Sequence, residues 1–160
     1  MTQGFDARIR TPFAVLGVRA PADTLEEIVY LPPATPALAP RSAIAKRVAL
    51  QLERYLDDAE YQFELPLALA GSVFQVKVWR EIARIAPGKT RSYGDIAAKL
   101  GSAPRPVGGA CGRNPVPLVV PCHRVLGSAG LGGFMGGRDD FPLSIKRWLL
   151  CHEGVLAPAH

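Results

Sequence analysis

The stretch Arg91-Ser92-Tyr93-Gly94-Asp95-Ile96-Ala97-Ala98-Lys99-Leu100-Gly101-Ser102-Ala103-Pro104-Arg105-Pro106-Val107-Gly108-Gly109-Ala110-Cys111-Gly112 reads as two short helices joined by a tight turn. Arg91 to Asp95 introduces a first helix over Ile96 to Leu100. Gly101 closes it, because glycine accepts the positive φ of a helix end without steric cost. A second short helix is expected through Val107 to Gly112. Two consecutive short helices with a glycine-containing turn are the plan of a helix-turn-helix, in which the second is the recognition helix. That second helix is poor in helix formers, since each of Gly108, Gly109 and Gly112 costs about 1 kcal/mol relative to alanine. A surface without protruding side chains lets another backbone approach closely, either that of a neighbouring helix or that of a nucleic acid. Arg105, just ahead of it, is placed to project into a duplex.

Downstream, Leu118-Val119-Val120 reads as a short buried strand, and Pro121 ends its ladder by lacking an N–H. Cys122-His123-Arg124 follows where that strand would stop. A thiolate is the sulfur nucleophile, so a working cysteine needs a proton acceptor and a setting that lowers its pKa. His123 and Arg124 are the nearest groups able to supply these. Neighbouring side chains on an extended chain point to opposite faces, so a Cys122–His123 contact requires a turn or an intervening water. Glu153, in Cys151-His152-Glu153-Gly154 just past an apolar helix, is the acid expected to orient the imidazole. A lone cysteine is more often a buried small hydrophobe than a nucleophile; its company singles out Cys122, whereas Cys111 and Cys151 read as packing residues.

Upstream, Phe13 to Arg19 and Glu27 to Leu31 are apolar and β-branched enough for strands, with Pro21-Ala22-Asp23 turning the chain between them. The proline-rich segment Pro32 to Pro40 is a connector. Ser42 then caps a helix with Ala45, Val48, Ala49, Leu52, Tyr55 and Leu56 at helical spacing. After Leu65 to Gly71, Ser72 caps a helix running through Ile85, which Pro87-Gly88 ends. The expected fold is α/β (α+β): a small N-terminal α/β domain over residues 1–70 with a structural role, then a mainly helical domain over residues 71–160 carrying the helix-turn-helix.

The composition excludes several classes. No apolar run approaches the roughly 20 residues needed to span a bilayer, and the N-terminus lacks a signal-peptide pattern, so a cytoplasmic location is expected, nucleoid-associated in a bacterium. Three cysteines without a Cys-x-x-Cys pair make no disulfide framework, and His123, His152 and His160 show no zinc spacing. Neither a metal nor a cofactor is expected. The net charge of +5 permits a polyanionic partner without requiring one. Its distribution says more: Lys77, Arg80, Arg84, Lys89, Arg91, Lys99, Arg105, Arg113 and Arg124 face only Glu81 and Asp95 as counter-charges within that segment.

Taken together, Arg105-Pro106-Val107-Gly108-Gly109-Ala110, Asn114-Pro115-Val116-Pro117, Pro121-Cys122-His123-Arg124-Val125, Gly132-Gly133-Phe134-Met135-Gly136-Gly137 and Trp148-Leu149-Leu150-Cys151-His152-Glu153-Gly154 resemble the O6-alkylguanine-DNA alkyltransferases, in that family's order. The resemblance spans about Ser72 to Gly154. It implies a DNA-repair protein without a cofactor that binds duplex DNA through the minor groove and flips the damaged nucleotide. The alkyl group then moves irreversibly from guanine O6, and also from thymine O4, to the protein's own cysteine. By the same resemblance Cys122 is the acceptor, His123 its base through a water, and Glu153 the residue that orients His123. Asn114 is the hinge between recognition helix and active-site strand, and Tyr93 helps rotate the target phosphate and contacts the flipped base. Arg105 fills the gap in the base stack, and Gly108, Gly109, Ala110, Arg113 and Arg124 complete the DNA-binding set. Val125, Phe134, Met135, Gly136 and Lys146 line the substrate pocket. The backbone N–H of Met135 and the Tyr93 hydroxyl are implied donors to O6, and the carbonyls of Cys122 and Val125 implied acceptors from the guanine amino group. The partner is duplex DNA with an O6-alkylguanine, bound by a monomer, either independently or cooperatively. Phe134-Met135 stands where some relatives have Tyr-Ser, which leaves the range of alkyl groups open.

Three rival readings fit less of the sequence. The alkyltransferase-like proteins, which bind damage without repairing it, carry tryptophan where Cys122 stands. A cysteine hydrolase leaves the basic helix-turn-helix without a purpose. A plain transcription-factor module leaves Cys122, His123 and Glu153 unexplained.

Overall fold

The computed structural model describes residues 4–127, 130–132 and 140–157. The chain folds as mixed α/β structure in two compact units, Met1–Leu69 and Ala70–His160. Among the described residues no helix is long and apolar enough to cross a membrane.

In the first unit, β1 (Ala7–Arg10), β2 (Val15–Arg19) and β3 (Glu27–Leu31) form an antiparallel sheet in that order, with Leu16 opposite both Ile9 and Tyr30. β1 falls in a polar stretch for which the sequence suggested no strand. β2 starts two residues later than expected, because Thr11 Oγ1 accepts hydrogen bonds from the Phe13 and Ala14 amides and holds a turn there. Val15, Leu16, Gly17 and Val18 are all buried, so the central strand is covered on both faces. A Cβ on Gly17 would come within 2.7 Å of the Phe5 ring. Arg19 lies over the same ring and pairs with its cross-strand neighbour Glu27. α1 (Ala43–Asp57) begins at Ser42, whose hydroxyl accepts from Ala45 N at 3.1 Å, and buries Ile44, Ala45, Val48, Leu52 and Tyr55.

The second unit opens with α2 (Val73–Ile82), started by a reciprocal capping box between Ser72 and Gln75. It ends three residues earlier than expected, and the chain turns at Ala83 and Arg84. β4 (Arg91–Ser92) leads into α3 (Tyr93–Leu100), capped by Ser92 with Asp95, and Gly101 ends it at φ 65°. The Ser92 backbone and hydroxyl hold the Asp95 carboxyl below its ordinary value, which anchors this helix start. The first helix thus begins three residues ahead of the expected Ile96, since the capping box draws Tyr93 into its first turn. α4 (Pro104–Gly112) also starts earlier than expected, with Pro104 in the first turn, where its missing N–H costs nothing. Trp79 Nε1 donates to Ala110 O at 2.8 Å and ties α2 to α4 inside the core. After the short 3₁₀ turn Cys122–Arg124, β5 (Val125–Leu126) pairs in parallel with β4. α5 (Asp140–His152) buries Ile145, Leu149 and Leu150.

One sequence expectation is overturned here. Leu118-Val119-Val120 is a tight turn and no strand: Val120 N donates to Val116 O, and Leu118 adopts φ 76°. Asn114 Oδ1 accepts from Val116 N, and prolines 115 and 117 have no N–H for a ladder. Leu118 and Val120 are buried by closing this turn.

Candidate active site and nucleic-acid interface

The turn at 114–120 delivers Cys122 to the C-terminal end of α4. Asn114, 4% exposed, uses its amide as a clamp: Nδ2 donates to Val120 O at 2.8 Å and to Cys122 Sγ at 3.1 Å. The Cys122 thiol in turn faces Cys111 O at 3.8 Å. The sulfur therefore meets a donor from Asn114 and an acceptor from the last turn of α4. The neighbouring Cys111 and burial push the Cys122 thiol well up, and Asn114 and Lys146 only partly offset them. The expectation of a lowered pKa is corrected: at rest this cysteine is a neutral thiol that needs a base. Cys111, read from sequence as mere packing, is the group that contributes most to that state. Its proximity follows from the turn at 114–120, which the strand-like composition of Leu118-Val119-Val120 masks.

His123 is completely buried, and its Nε2 stands 2.8 Å from Glu153 Oε2. Glu153 is held from the other side by Arg124, whose Nε and Nη2 donate to the two carboxylate oxygens at 2.8 and 2.9 Å. Burial alone would raise the Glu153 carboxyl; the hydrogen bonds from His123 and Arg124 outweigh it and hold the group well below the carboxylate range. Because the carboxylate is ionised, Nε2 must carry the imidazole proton, and Nδ1 is left as a lone-pair acceptor. Nδ1 is buried and makes no hydrogen bond to any described residue. Burial lowers the His123 pKa and outweighs the opposing pull of Glu153, so the ring is neutral and able to take a proton.

A second cluster forms around Tyr93, the first residue of α3. The β4–β5 ladder sets Arg91 opposite Val125, which brings the start of α3 beside the chain leaving the 3₁₀ turn. A Cβ on Gly132, at φ 72°, would lie 2.9 Å from the Tyr93 ring, so only glycine fits that approach. Lys146 Nζ sits 5.9 Å from the ring centre. Lys146 is fully buried and donates to Val125 O at 2.7 Å and Leu131 O at 2.5 Å, joining α5 to β5 and the following loop. Phe134, Met135 and Gly136 lie outside the described residues.

α4 divides into two faces. Arg105, Gly109 and Arg113 are exposed. A Cβ on Gly109 would meet nothing within 4 Å, and one on Gly108 would just touch Tyr93 Cε1 at 4.0 Å. Neither glycine is required by packing inside the unit. Two expected members of the DNA-binding set do not belong to this face. Ala110 is buried, with its carbonyl bonded to Trp79. Arg124 is 5% exposed and directs its guanidinium to Glu153 and to Ile85 O at 2.6 Å. A cation so enclosed is not presented to phosphate. Its place is explained by the 3₁₀ turn, which rotates residue 124 inward.

A family model described as 6-O-methylguanine DNA methyltransferase, DNA binding domain, matches residues 73–155. The methylated-DNA–protein-cysteine methyltransferase of Archaeoglobus fulgidus is 43% identical over 108 residues, which cover 67% of this chain and 74% of that protein. A variant of the Mycobacterium tuberculosis O6-methylguanine methyltransferase superposes with a TM-score of 0.79 at 31% identity, over 96% of this chain and 94% of that one. The M. tuberculosis OGT solved in complex with DNA gives 0.74 at 33% identity, over 92% of each.

Proposed function

The chain belongs to the 6-O-methylguanine DNA methyltransferase family, and on that premise we propose that Cys122 is the residue that takes the alkyl group from guanine O6 in duplex DNA. The activity is that of a methylated-DNA–protein-cysteine methyltransferase, a direct reversal of DNA damage by alkyl transfer. The reading of the residues is carried by one observation: a buried imidazole next to Cys122 has one nitrogen locked on an ionised Glu153 and the other open.

Each step follows from that arrangement. The Cys122 S–H proton passes through a water to His123 Nδ1, and the imidazolium so formed is stabilised by the Glu153 carboxylate. Asn114 Nδ2 donates to the sulfur as its negative charge develops. The sulfur forms a bond to the alkyl carbon while the carbon–O6 bond breaks. The bonding pair leaves with guanine, whose O6 accepts a hydrogen bond from the Tyr93 hydroxyl. Guanine takes up one proton from water and the His123 imidazolium returns one to water, so the net change is the exchange of the S–H proton for the alkyl group. The product is a thioether with no leaving group to restore the thiol, so each molecule acts once. The same displacement applies to O4 of alkylated thymine.

Access to the base requires its extrusion from the stack, at a cost of a few kcal/mol. Arg105, exposed in the first turn of α4, offsets part of that cost by occupying the gap, while Gly108 and Gly109 let the helix approach the minor-groove backbone and Arg113 pairs with phosphate. The protein acts as a monomer. Incubation with duplex DNA carrying O6-methylguanine should add one CH₂ to the intact mass, once per molecule and no further with excess DNA. An unchanged mass in a folded, DNA-bound protein would refute the proposal.

A further inference from the structure

We infer that α2 carries a second phosphate-binding surface, formed by Lys77 and Arg80 and continued by Arg84, which contacts the DNA backbone independently of the recognition helix. The inference rests on the DNA-binding part of the proposed function and goes beyond it, because the helix-turn-helix uses only α3 and α4. At 3.6 residues per turn, Val73, Lys77 and Arg80 fall within about 60° of arc on α2. Opposite them are the buried residues Val78, Trp79 and Ile82, which fix the other face of this helix in the core. The stripe is solvent-facing: Val73 is 76% exposed, Lys77 and Arg80 are exposed, and the Arg84 side chain is 70% exposed one turn further on.

The charge of Lys77 and Arg80 is not cancelled. Among the described residues, neither Lys77 nor Arg80 has an acid within ion-pair distance. The one acid of α2, Glu81, has a side chain only 11% exposed and is engaged by Lys99 at 3.4 Å and Arg84 at 3.7 Å. A helix rises about 1.5 Å per residue, so Lys77 and Arg80 stand about 4.5 Å apart along the axis. One DNA strand presents a phosphate about every 3.4 Å along the duplex axis, so the pair matches two neighbouring phosphates. The surroundings favour a polyanion too: 12 of the 19 lysines and arginines but only 5 of the 14 acids follow Leu69.

The test uses the full chain and an undamaged duplex, with affinity read by fluorescence anisotropy across a salt series. Losing two phosphate contacts in Lys77→Gln/Arg80→Gln should flatten the slope of log K against log salt by about 1.8 and weaken binding by about 30-fold at 0.15 M salt. Lys46→Gln/Arg54→Gln removes the same charge from exposed positions of the first unit and should leave the slope unchanged. Transfer from free O6-methylguanine base should equal that of the unaltered chain, which certifies the fold of the variant; a loss there would move the test to the single variants Lys77→Gln and Arg80→Gln, each with half the slope change. An unchanged slope, or an equal change in the Lys46/Arg54 control, would overturn the inference. Failure of the proposed function is distinguishable, since it appears as an unaltered chain that binds DNA but gains no alkyl group.

Discussion

The two sides of α4 contrast in how their residues are used. On one side Arg105 and Gly109 are exposed, and an added Cβ on Gly109 would touch nothing. On the other Val107, Ala110 and Cys111 are buried, and the chain continues into Asn114, Cys122, His123, Arg124 and Glu153, all nearly closed to solvent. The open side is shaped by the side chains it lacks, so that something outside can come close. The closed side is shaped by contacts that leave almost no freedom, so that a proton and a sulfur can be placed. Mutations on the open side should therefore change binding with little effect on stability, whereas mutations on the closed side should change transfer and stability more than binding.

The largest expected effect belongs to Glu153→Gln. A simple orienting role for Glu153 would predict slower transfer and an intact fold. The ion pair with Arg124 changes that expectation, because the substitution leaves a buried guanidinium without its counter-charge. Breaking such a pair costs about 3–5 kcal/mol, to be read from urea denaturation. Losing the imidazole's anchor should also slow single-turnover transfer by about 100-fold. A variant as stable as the parent would mean that the Arg124–Glu153 pair contributes nothing net.

The pH dependence of stability gives an intermediate effect with a definite sign. Glu153 has a folded pKa below its ordinary value of 4.5, so its stabilisation is complete above that value and is lost as pH falls toward the folded one. His123, lowered by burial from 6.5, acts in the same direction and begins to count below that value. The urea midpoint should fall continuously as pH is lowered from 7 to 3, with the steepest loss below about 4.5 absent in Glu153→Gln. A flat profile would contradict the buried network.

The smallest effect, and the one that sharpens the contrast most, is Gly109→Ala. Its Cβ meets nothing within the unit, and alanine gains about 1 kcal/mol in helix propensity, so thermal stability should hold or rise slightly. Affinity for duplex DNA should fall, because the methyl group stands where the backbone of the duplex approaches. A destabilised variant with unchanged DNA affinity would make the glycine a packing residue.

The open side was largely legible in the sequence, since Gly108 and Gly109 in a short helix after Gly101 have few physical uses. The antiparallel pairing of residues 15–19 with 27–31 was legible too, from β-branched runs around a proline-containing turn. The closed side was legible only as a set of residue types. Leu118-Val119-Val120 has the composition of a strand, and that composition masks the turn chemistry of Asn114, Pro115 and Pro117 just ahead of it. That turn, and the 3₁₀ turn after it, decide that Arg124 points inward and that Cys111 meets Cys122. The β4–β5 ladder is two residues long on each side, too short to leave a periodic signal, yet it sets Tyr93 beside the chain that leaves the 3₁₀ turn. Such features arise from long-range closure, which the spacing of residues does not encode.

The central claim is that one sulfur of three, the one clamped by Asn114 and served by His123, receives the alkyl group. Peptide mapping by mass spectrometry after reaction with duplex DNA containing O6-methylguanine tests it directly. The methyl group should be found on the peptide carrying Cys122 and on neither Cys111 nor Cys151, and Cys122→Ala should bind DNA but remain unmodified. A methyl group on Cys111 or Cys151, or on the Cys122→Ala protein, would contradict the account.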